Sequence, residues 1–404
     1  MSRLIDNFLS YVKIDTQSDP NSNTFPSTSK QRNLSELLFK QLEALGLKPT
    51  LDDFGYVYAC LPKNNDQAKS IGFIAHVDTS PDAPGFPVNP RIIKSYDGST
   101  VKLNEKLSMD PSEYPSLSLV IGDDIIVTDG NTLLGADDKC GVAEIMELLY
   151  KLTEDPSIVH GDIYICFTPD EEIGKGANHF DFDQFKAEFA YTMDGSEVGI
   201  VEYENFNAAT ALVNVTGKSI HPGTAKNKLI NALHIAMEFH QLLPVMLNPA
   251  YTELYEGFNH LSNLSGEVES ALSKYIIRNH DAALFEAQKK DFLRIRDYLN
   301  DAYGYEAVSV EITDSYYNMA NIIKDHMHII TLAHDAIKAC GLDPRNAAIR
   351  GGTDGARLTY EGLPCPNLGT GGFQFHGRLE FASIQQMEKA VDVMIEIVKL
   401  RALQ

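Results

Sequence analysis

Gly135-Ala-Asp-Asp-Lys-Cys-Gly141 sets two adjacent carboxylates between glycines, and Val142, Ala143, Ile145, Met146, Leu148 and Leu149 continue it as an apolar, helix-like run. A turn this tight, opening a helix, holds a side chain still and aims it. Strand-like runs lie on both sides of it: 54–61, 71–75 and 124–128 before, 162–168 and 189–193 after. Leu4, Ile5, Phe8, Leu9 and Val12 share one helical face, as do Leu34, Leu37, Leu38, Leu42 and Leu45, with Gly46 closing the second helix. The segment 80–119 is rich in proline and turn residues and reads as an irregular excursion. Strands alternating with helices predict an α/β domain, a mixed sheet covered by helices on both faces.

Near Asn207 the pattern changes. Ala209, Ala211, Val213 and Val215 alternate with polar residues, as in a strand with one wet face. A helix over 229–243 stopped by Pro244, strands over 261–264 and 268–278, a charged helix over 282–303 and a strand over 307–312 follow. The order β-α-β-β-α-β is that of a split βαβ, ferredoxin-like sandwich. The expected organisation is therefore a first domain from 1–205 and 321–404, with an inserted α+β domain at 206–320. The first domain resumes with a helix over 321–339, the glycine-rich turn 350–355, a strand near 365–368, the loop carrying His376 and a last helix over 383–402.

The chain has 404 residues, which favours two cores over one. Hydrophobic residues make up 44% and charged residues 22%, the mix of a soluble globular protein. A formal net charge of −22 repels nucleic acid and anionic lipid, so neither is an expected partner. No apolar run is long enough to span a bilayer, and the first residues carry no apolar signal core, so a cytoplasmic location is expected. The five cysteines (Cys60, Cys140, Cys166, Cys340, Cys365) are scattered, without a C-x-x-C pair, which argues against both a disulfide framework and a thiolate zinc site.

Ligands of open α/β sheets bind outside the carboxyl ends of the strands, where loops vary over fixed roots. That rule gathers His76 with Asp78, Asp137, the run Asp170-Glu171-Glu172, Asp194 and His376 on one rim. His160-Gly-Asp162 repeats the H-x-D spacing but precedes its strand, and is assigned to a turn. Imidazole and carboxylate without thiolate suit a pair of zinc-like ions, and a carboxylate can bridge two of them. Asp137 is the choice for the bridge. His76 and Asp194 then complete one site, Glu172 and His376 the other. Asp78 is placed to orient the His76 imidazole, and Glu171 to act as general base. Plainer readings stand beside these: Asp137-Asp138 as a helix cap, Asp170-Glu171-Glu172 as a solvated acidic turn. His326-Met-His328 also has ligand-like spacing, but i and i+2 on a helix do not face one way.

Several motifs carry a resemblance across nearly the whole chain: Gly72-Phe-Ile-Ala-His-Val-Asp-Thr-Ser-Pro81, Leu133-Leu-Gly-Ala-Asp-Asp-Lys139, Phe167-Thr-Pro-Asp-Glu-Glu172, Tyr191-Thr-Met-Asp-Gly195, His221-Pro-Gly-Thr-Ala-Lys226, Asp314-Ser-Tyr-Tyr-Asn318, Arg350-Gly-Gly-Thr-Asp-Gly355 and His376-Gly377. The chain resembles the di-zinc peptidases related to aminoacylase, carboxypeptidase G and succinyl-diaminopimelate desuccinylase, and within them the tripeptide aminopeptidases. The resemblance implies two divalent cations, most readily Zn2+. It implies His76, Asp137, Glu172, Asp194 and His376 as their ligands, with Asp78 and Glu171 as the catalytic acids. It also implies a cis peptide between Asp137 and Asp138, and an inserted domain that acts as a lid and through which two chains can pair as a homodimer. The position of His221 would polarise the scissile carbonyl, and Arg278 and Arg350 would meet the substrate carboxylate. Cys140 stands where the family usually has a smaller residue, and is expected to make the site sensitive to thiol reagents.

The expected activity is release of the N-terminal residue from a short peptide, a tripeptide. The alternative within the group is a dipeptidase or a deacylase of N-acyl amino acids, since all share the metal centre. A metal-dependent binding protein without turnover is the reading from another class. The Asp78–Glu171 pair argues against it, because binding alone needs no general base.

Overall fold

Every residue of the strand Ile71–His76 is buried, so it alternates with nothing and must be covered on both faces. In the computed structural model, which describes residues 2–404, this strand lies inside an eight-stranded mixed sheet. The strand order is Thr50–Leu51, Val57–Leu61, Ile163–Thr168, Ile71–His76, Ala190–Gly195, Asn367–Gly369, Ile200–Asn205, Arg345–Ile349. The middle four run parallel to one another. Val57–Leu61 and Ile200–Asn205 join them antiparallel on either side.

The helix Ala136–Glu154 packs on strands Ile71–His76 and Ala190–Gly195 and against helices Arg3–Tyr11 and Ile384–Ala402. It is enclosed nearly all round, with Val142, Ile145, Met146, Leu148 and Leu149 fully buried. At about 1.5–3 kcal/mol for each large side chain removed from water, this helix is a principal source of core stability. The final helix starts on Ser383, whose hydroxyl accepts the N–H of Gln386, a standard N-cap.

The strand at 124–128 was expected in the main sheet, and the structure corrects this. Ile125–Val127 belongs to a separate four-stranded sheet, ordered Gly372–Phe373, Phe381–Ser383, Ile125–Val127, Arg91–Ile93. The 80–119 excursion therefore supplies a strand, and a hairpin of Val101–Lys102 with Ser108–Met109 besides. Tyr96, Val101, Leu103, Met109, Leu117 and Val120 close a core there with Ile125, Val127, Phe373 and Phe381. Ile125–Val127 is buried throughout, as a strand of the main sheet would be, so burial cannot tell the two sheets apart from sequence.

Two further elements differ from expectation. Ile200–Asn205 and Arg345–Ile349 are strands without an apolar signature, on the outer side of the main sheet. The helix expected over 321–339 is broken into Ala320–Ile323 and Met327–Ala339, with His326 at the break.

The chain divides into two compact units, one of Met1–Tyr203, Ile322–Ala347 and Thr353–Gln404, the other of Glu204–Asn321 with Ala348–Gly352. In the second unit an antiparallel sheet is ordered Phe258–Gly266, Ser270–Asn279, Asn207–Thr216, Val308–Tyr316. Helices Ala232–Leu242 and Ala282–Tyr303 cover it, with Phe239, Tyr275, Phe292 and Leu299 in the core between. Ala348–Gly352, which the sequence reading put with the first domain, joins the second unit. The Arg350 guanidinium donates to the carbonyls of Thr252, Leu254 and Glu256, and the Ile349 carbonyl lies 3.1 Å from Nε2 of His280. Among the described residues no helix is long and apolar enough to cross a membrane.

Candidate metal centre

His76 is the last residue of its strand and is buried. Its backbone N–H donates to Asp138 Oδ2 at 3.1 Å, and its Nδ1 lies 3.1 Å from the Asp78 carbonyl and 3.4 Å from Asp78 Oδ1. The ring is thereby fixed, with Nε2 turned to Asp137 Oδ1 at 2.8 Å and Asp194 Oδ1 at 3.5 Å. Asp194 sits inside the strand Ala190–Gly195, one residue before its end.

Asp137 follows Gly135, whose φ of +81° is left-handed, and precedes a cis peptide to Asp138. Its second oxygen, Oδ2, is 3.3 Å from His376 Nε2, and that nitrogen is 2.9 Å from Glu172 Oε2. Two groups result, His76–Asp137–Asp194 and Asp137–Glu172–His376, with the ligand-type atoms of each within 4.8 Å of one another. Asp137 belongs to both. The donors are imidazole and carboxylate only, which suits hard or borderline cations such as Zn2+. Glu172 Oε1 is buried with no hydrogen-bond partner among the described residues, an orphan that a cation would satisfy.

The electrostatics point the same way. Burial pushes the Glu172 carboxyl up to about 8, helped by the charge of Asp137. Burial, with the Asp137 charge next, raises Asp194 to about 6. For His76, burial works against the charged ring, but its hydrogen bonds to the carboxylates of Asp137, Asp194 and Asp78 outweigh it and raise the ring well above its ordinary value. His376 is pushed up to about 11 by its hydrogen bonds to Asp137 and Glu172. Burial would also raise Asp137, but the two imidazoles win and lower it. Crowded carboxylates that recruit protonated imidazoles in this way are a site short of positive charge.

Asp78 is fully buried and does more than face His76. Its Oδ1 accepts the N–H of Glu171 at 3.0 Å and its Oδ2 that of Glu172 at 3.2 Å. Glu171 Oε1 accepts the N–H of Asp354 at 3.2 Å. Burial, then the charge of Asp194, pushes the Glu171 carboxyl well above the usual range, the direction a proton-carrying group needs.

The rim argument holds for His76, at the end of its strand. It does not hold for Asp137 and His376, which reach the same place from the smaller sheet: Asp137 after Ile125–Val127, and His376 between Gly372–Phe373 and Phe381–Ser383. Three residues to which the sequence assigned neither a ligand nor a catalytic role take part. Asp138 ties His76 to its own helix by accepting the N–H of Gly141. Asp170, at φ +60°, accepts Ser27 N–H and Gln31 Nε2 and so fixes the start of the Glu171–Glu172 turn. Asp354 accepts the Thr168 hydroxyl at 2.9 Å. All three stand in quoted motifs, but the motifs do not show which donors each carboxylate accepts from.

His160 Nδ1 lies 2.8 Å from the Gly161 carbonyl in a turn, away from both groups. Cys140 is fully buried, and burial pushes its thiol well up, which removes the basis for expecting sensitivity to thiol reagents. His221, Arg278 and Arg350 all lie in the second unit. His221 is exposed and its Nδ1 accepts the Gly223 N–H. Arg278 donates to the carbonyls of Ala209 and Ile277 and stacks over Tyr316. Arg350, besides its three carbonyl partners, lies over the Phe206 ring.

The profile described as Peptidase family M20/M25/M40 matches residues 128–400. The chain belongs to this family. It is 49% identical over 401 residues to the peptidase T of Geobacillus thermodenitrificans, covering 98% of each chain. It is 49% identical over 404 residues to that of Clostridium perfringens, covering 100% of both. In three dimensions it matches the aminopeptidase PepT of Bacillus cereus with a TM-score of 0.79 at 23% identity, over 100% of this chain and 98% of the other. A Bacillus subtilis protein described as a dinuclear metal binding peptidase of the M20 family matches with a TM-score of 0.68 at 14% identity, over 99% and 98%. The M20 fold is thus the frame in which the two ligand groups meet.

Proposed function

We propose that the chain is a metal-dependent aminopeptidase that releases the N-terminal residue from tripeptides. The observation that carries the chemistry is the sharing of Asp137 between two ligand groups, one oxygen facing each. The substrate class rests on full-length identity of 49% to proteins named peptidase T. His76, Asp137 and Asp194 would hold one divalent cation, and Asp137, Glu172 and His376 a second, with zinc favoured by the donor set. Such cations supply Lewis acidity, polarising a peptide carbonyl and making water a nucleophile at neutral pH.

The chain's own residues do the rest. Glu171 takes the proton of the attacking water on its carboxylate and returns it to the amine that leaves as the C–N bond breaks. Asp78 holds the Glu171–Glu172 backbone and the His76 ring while this happens. His221 is assigned to the scissile carbonyl and Arg278 and Arg350 to the substrate's terminal carboxylate, which would make the enzyme a ruler for short peptides. Five free cysteines accord with a cytosolic role in peptide catabolism. Pairing of two chains through the second unit belongs to the same reading.

Tri-alanine, di-alanine and N-acetyl-alanine assayed side by side test the proposal. Hydrolysis of tri-alanine with release of free alanine is expected to dominate. Preference for either of the others would assign the chain to the dipeptidases or deacylases of the same group.

A further inference from the structure

Glu380 is 1% exposed, and its carboxylate is filled entirely by backbone N–H groups of the loop that carries Asp137. Oε2 accepts from Leu134 and Gly135, both at 2.7 Å, and Oε1 from Asp137 itself at 3.0 Å. Three donors converging on one buried carboxylate, with no cationic side chain among its hydrogen-bond partners, form an anion cradle built by a protein loop around its own residue. Glu380 also lies four residues beyond His376 in the connection between strands Gly372–Phe373 and Phe381–Ser383, and its N–H donates to the Gly377 carbonyl at 3.3 Å. One side chain therefore ties the His376 loop to the Asp137 loop. His376 Nε2 and Asp137 Oδ2, 3.3 Å apart, sit at the outer ends of the two segments it joins.

We infer that Glu380 is a positioning residue for the bridging carboxylate. Gripping the N–H of Asp137 and the backbone that leads into it, it sets where the two Asp137 oxygens point and keeps them aligned with His376. The inference rests on the reading of Asp137 as a shared metal ligand. A loop that only had to stay folded would need its N–H groups satisfied, and water or a neutral acceptor would do that. Burying a carboxyl group beside a second carboxylate is costly, and the cost is justified where backbone geometry at Asp137 must be held closely.

The test is Glu380→Gln, whose amide places a donor against an N–H donor, with Glu380→Asp as the second variant, which keeps the charge but cannot reach all three amides. Each is titrated in metal-free form with Co2+, reading the visible absorption bands and the equivalents bound, and then assayed on tri-alanine for kcat and KM separately. Both variants are expected to melt cooperatively. Cobalt should bind about 10–100-fold more weakly than in wild type with altered bands, and kcat should fall by a similar factor at nearly constant KM. Wild-type bands, affinity and kcat in either folded variant would overturn the inference. So would loss of the cooperative melt in both, which would make Glu380 a fold staple. Asp137→Ala in the same titration separates the two levels. If it keeps both cobalt equivalents, the metal reading fails; if it loses them while the Glu380 variants behave as wild type, only the role of Glu380 fails.

Discussion

Asp78 Oδ1 accepts the backbone N–H of Glu171 at 3.0 Å, so a residue two positions beyond His76 holds the turn on which the proposed base sits. The same carboxylate reaches the His76 ring and the Glu172 N–H. Asp78→Asn replaces one acceptor oxygen by a donor and must break one of these contacts. The expected result is a 10–100-fold loss in kcat/KM on tri-alanine with weaker metal retention. Unchanged kinetics would show that Asp78 is dispensable to the arrangement.

Among the described residues Glu171 forms no ion pair with His76 or His376, yet desolvation and the charge of Asp194 push its carboxyl well up. Glu171→Ala should keep both metal equivalents and lower kcat on tri-alanine by about 10²–10⁴-fold. A variant that retained most of its turnover would remove Glu171 from the proton-transfer role.

Gly141 lets the helix that begins at Ala136 lie directly on the end of the Asp194 strand. A Cβ there would stand 2.0 Å from the Met193 carbonyl oxygen and 2.6 Å from Asp138 Oδ1. The first of these is backbone and cannot swing aside. Gly141→Ala should cost about 1–3 kcal/mol of stability or more and weaken metal binding, read by thermal melting and metal analysis. A wild-type melting temperature with full metal content would contradict this packing.

Sequence periodicity made much of this legible. The buried run at 71–76, the glycine-bounded Asp137–Asp138 turn and the alternating strand at Asn207–Thr216 each announce their environment through local pattern. The expected helix over 282–303 matches Ala282–Tyr303, because Asp281 caps one end and Gly304 at φ +74° ends the other. What was hidden is what depends on partners far along the chain. Ile125–Val127 looks like any buried strand, and only its pairing with Phe381–Ser383 and Arg91–Ile93 removes it from the main sheet. Glu380 and Asp170 look like surface acids, and nothing local marks the backbone amides that surround them. Arg350 sits in a glycine-rich turn whose neighbours are the carbonyls of residues almost a hundred positions earlier.

Glu144 gives a prediction in pH. It is fully buried on the Ala136–Glu154 helix, neither carboxylate oxygen has a hydrogen-bond partner among the described residues, and burial alone raises it well above 4.5. The folded state keeps the proton while the unfolded chain releases it above about pH 4.5, so the unfolded state gains about 1.4 kcal/mol per pH unit from this group up to the folded value. Glu144→Gln abolishes that slope. Urea unfolding from pH 4 to pH 8 should show the variant gaining on wild type as pH rises, with a constant offset at the acid end. Parallel stability curves would mean that Glu144 ionises in the folded protein.

The central claim, two cations sharing Asp137, is tested most directly by anomalous scattering at the zinc edge from crystals grown with Zn2+. The account predicts two peaks about 3.5–4 Å apart, each bound by one oxygen of Asp137, one completed by His76 and Asp194 and the other by Glu172 and His376. A single peak, or two peaks neither of which touches Asp137, would contradict it.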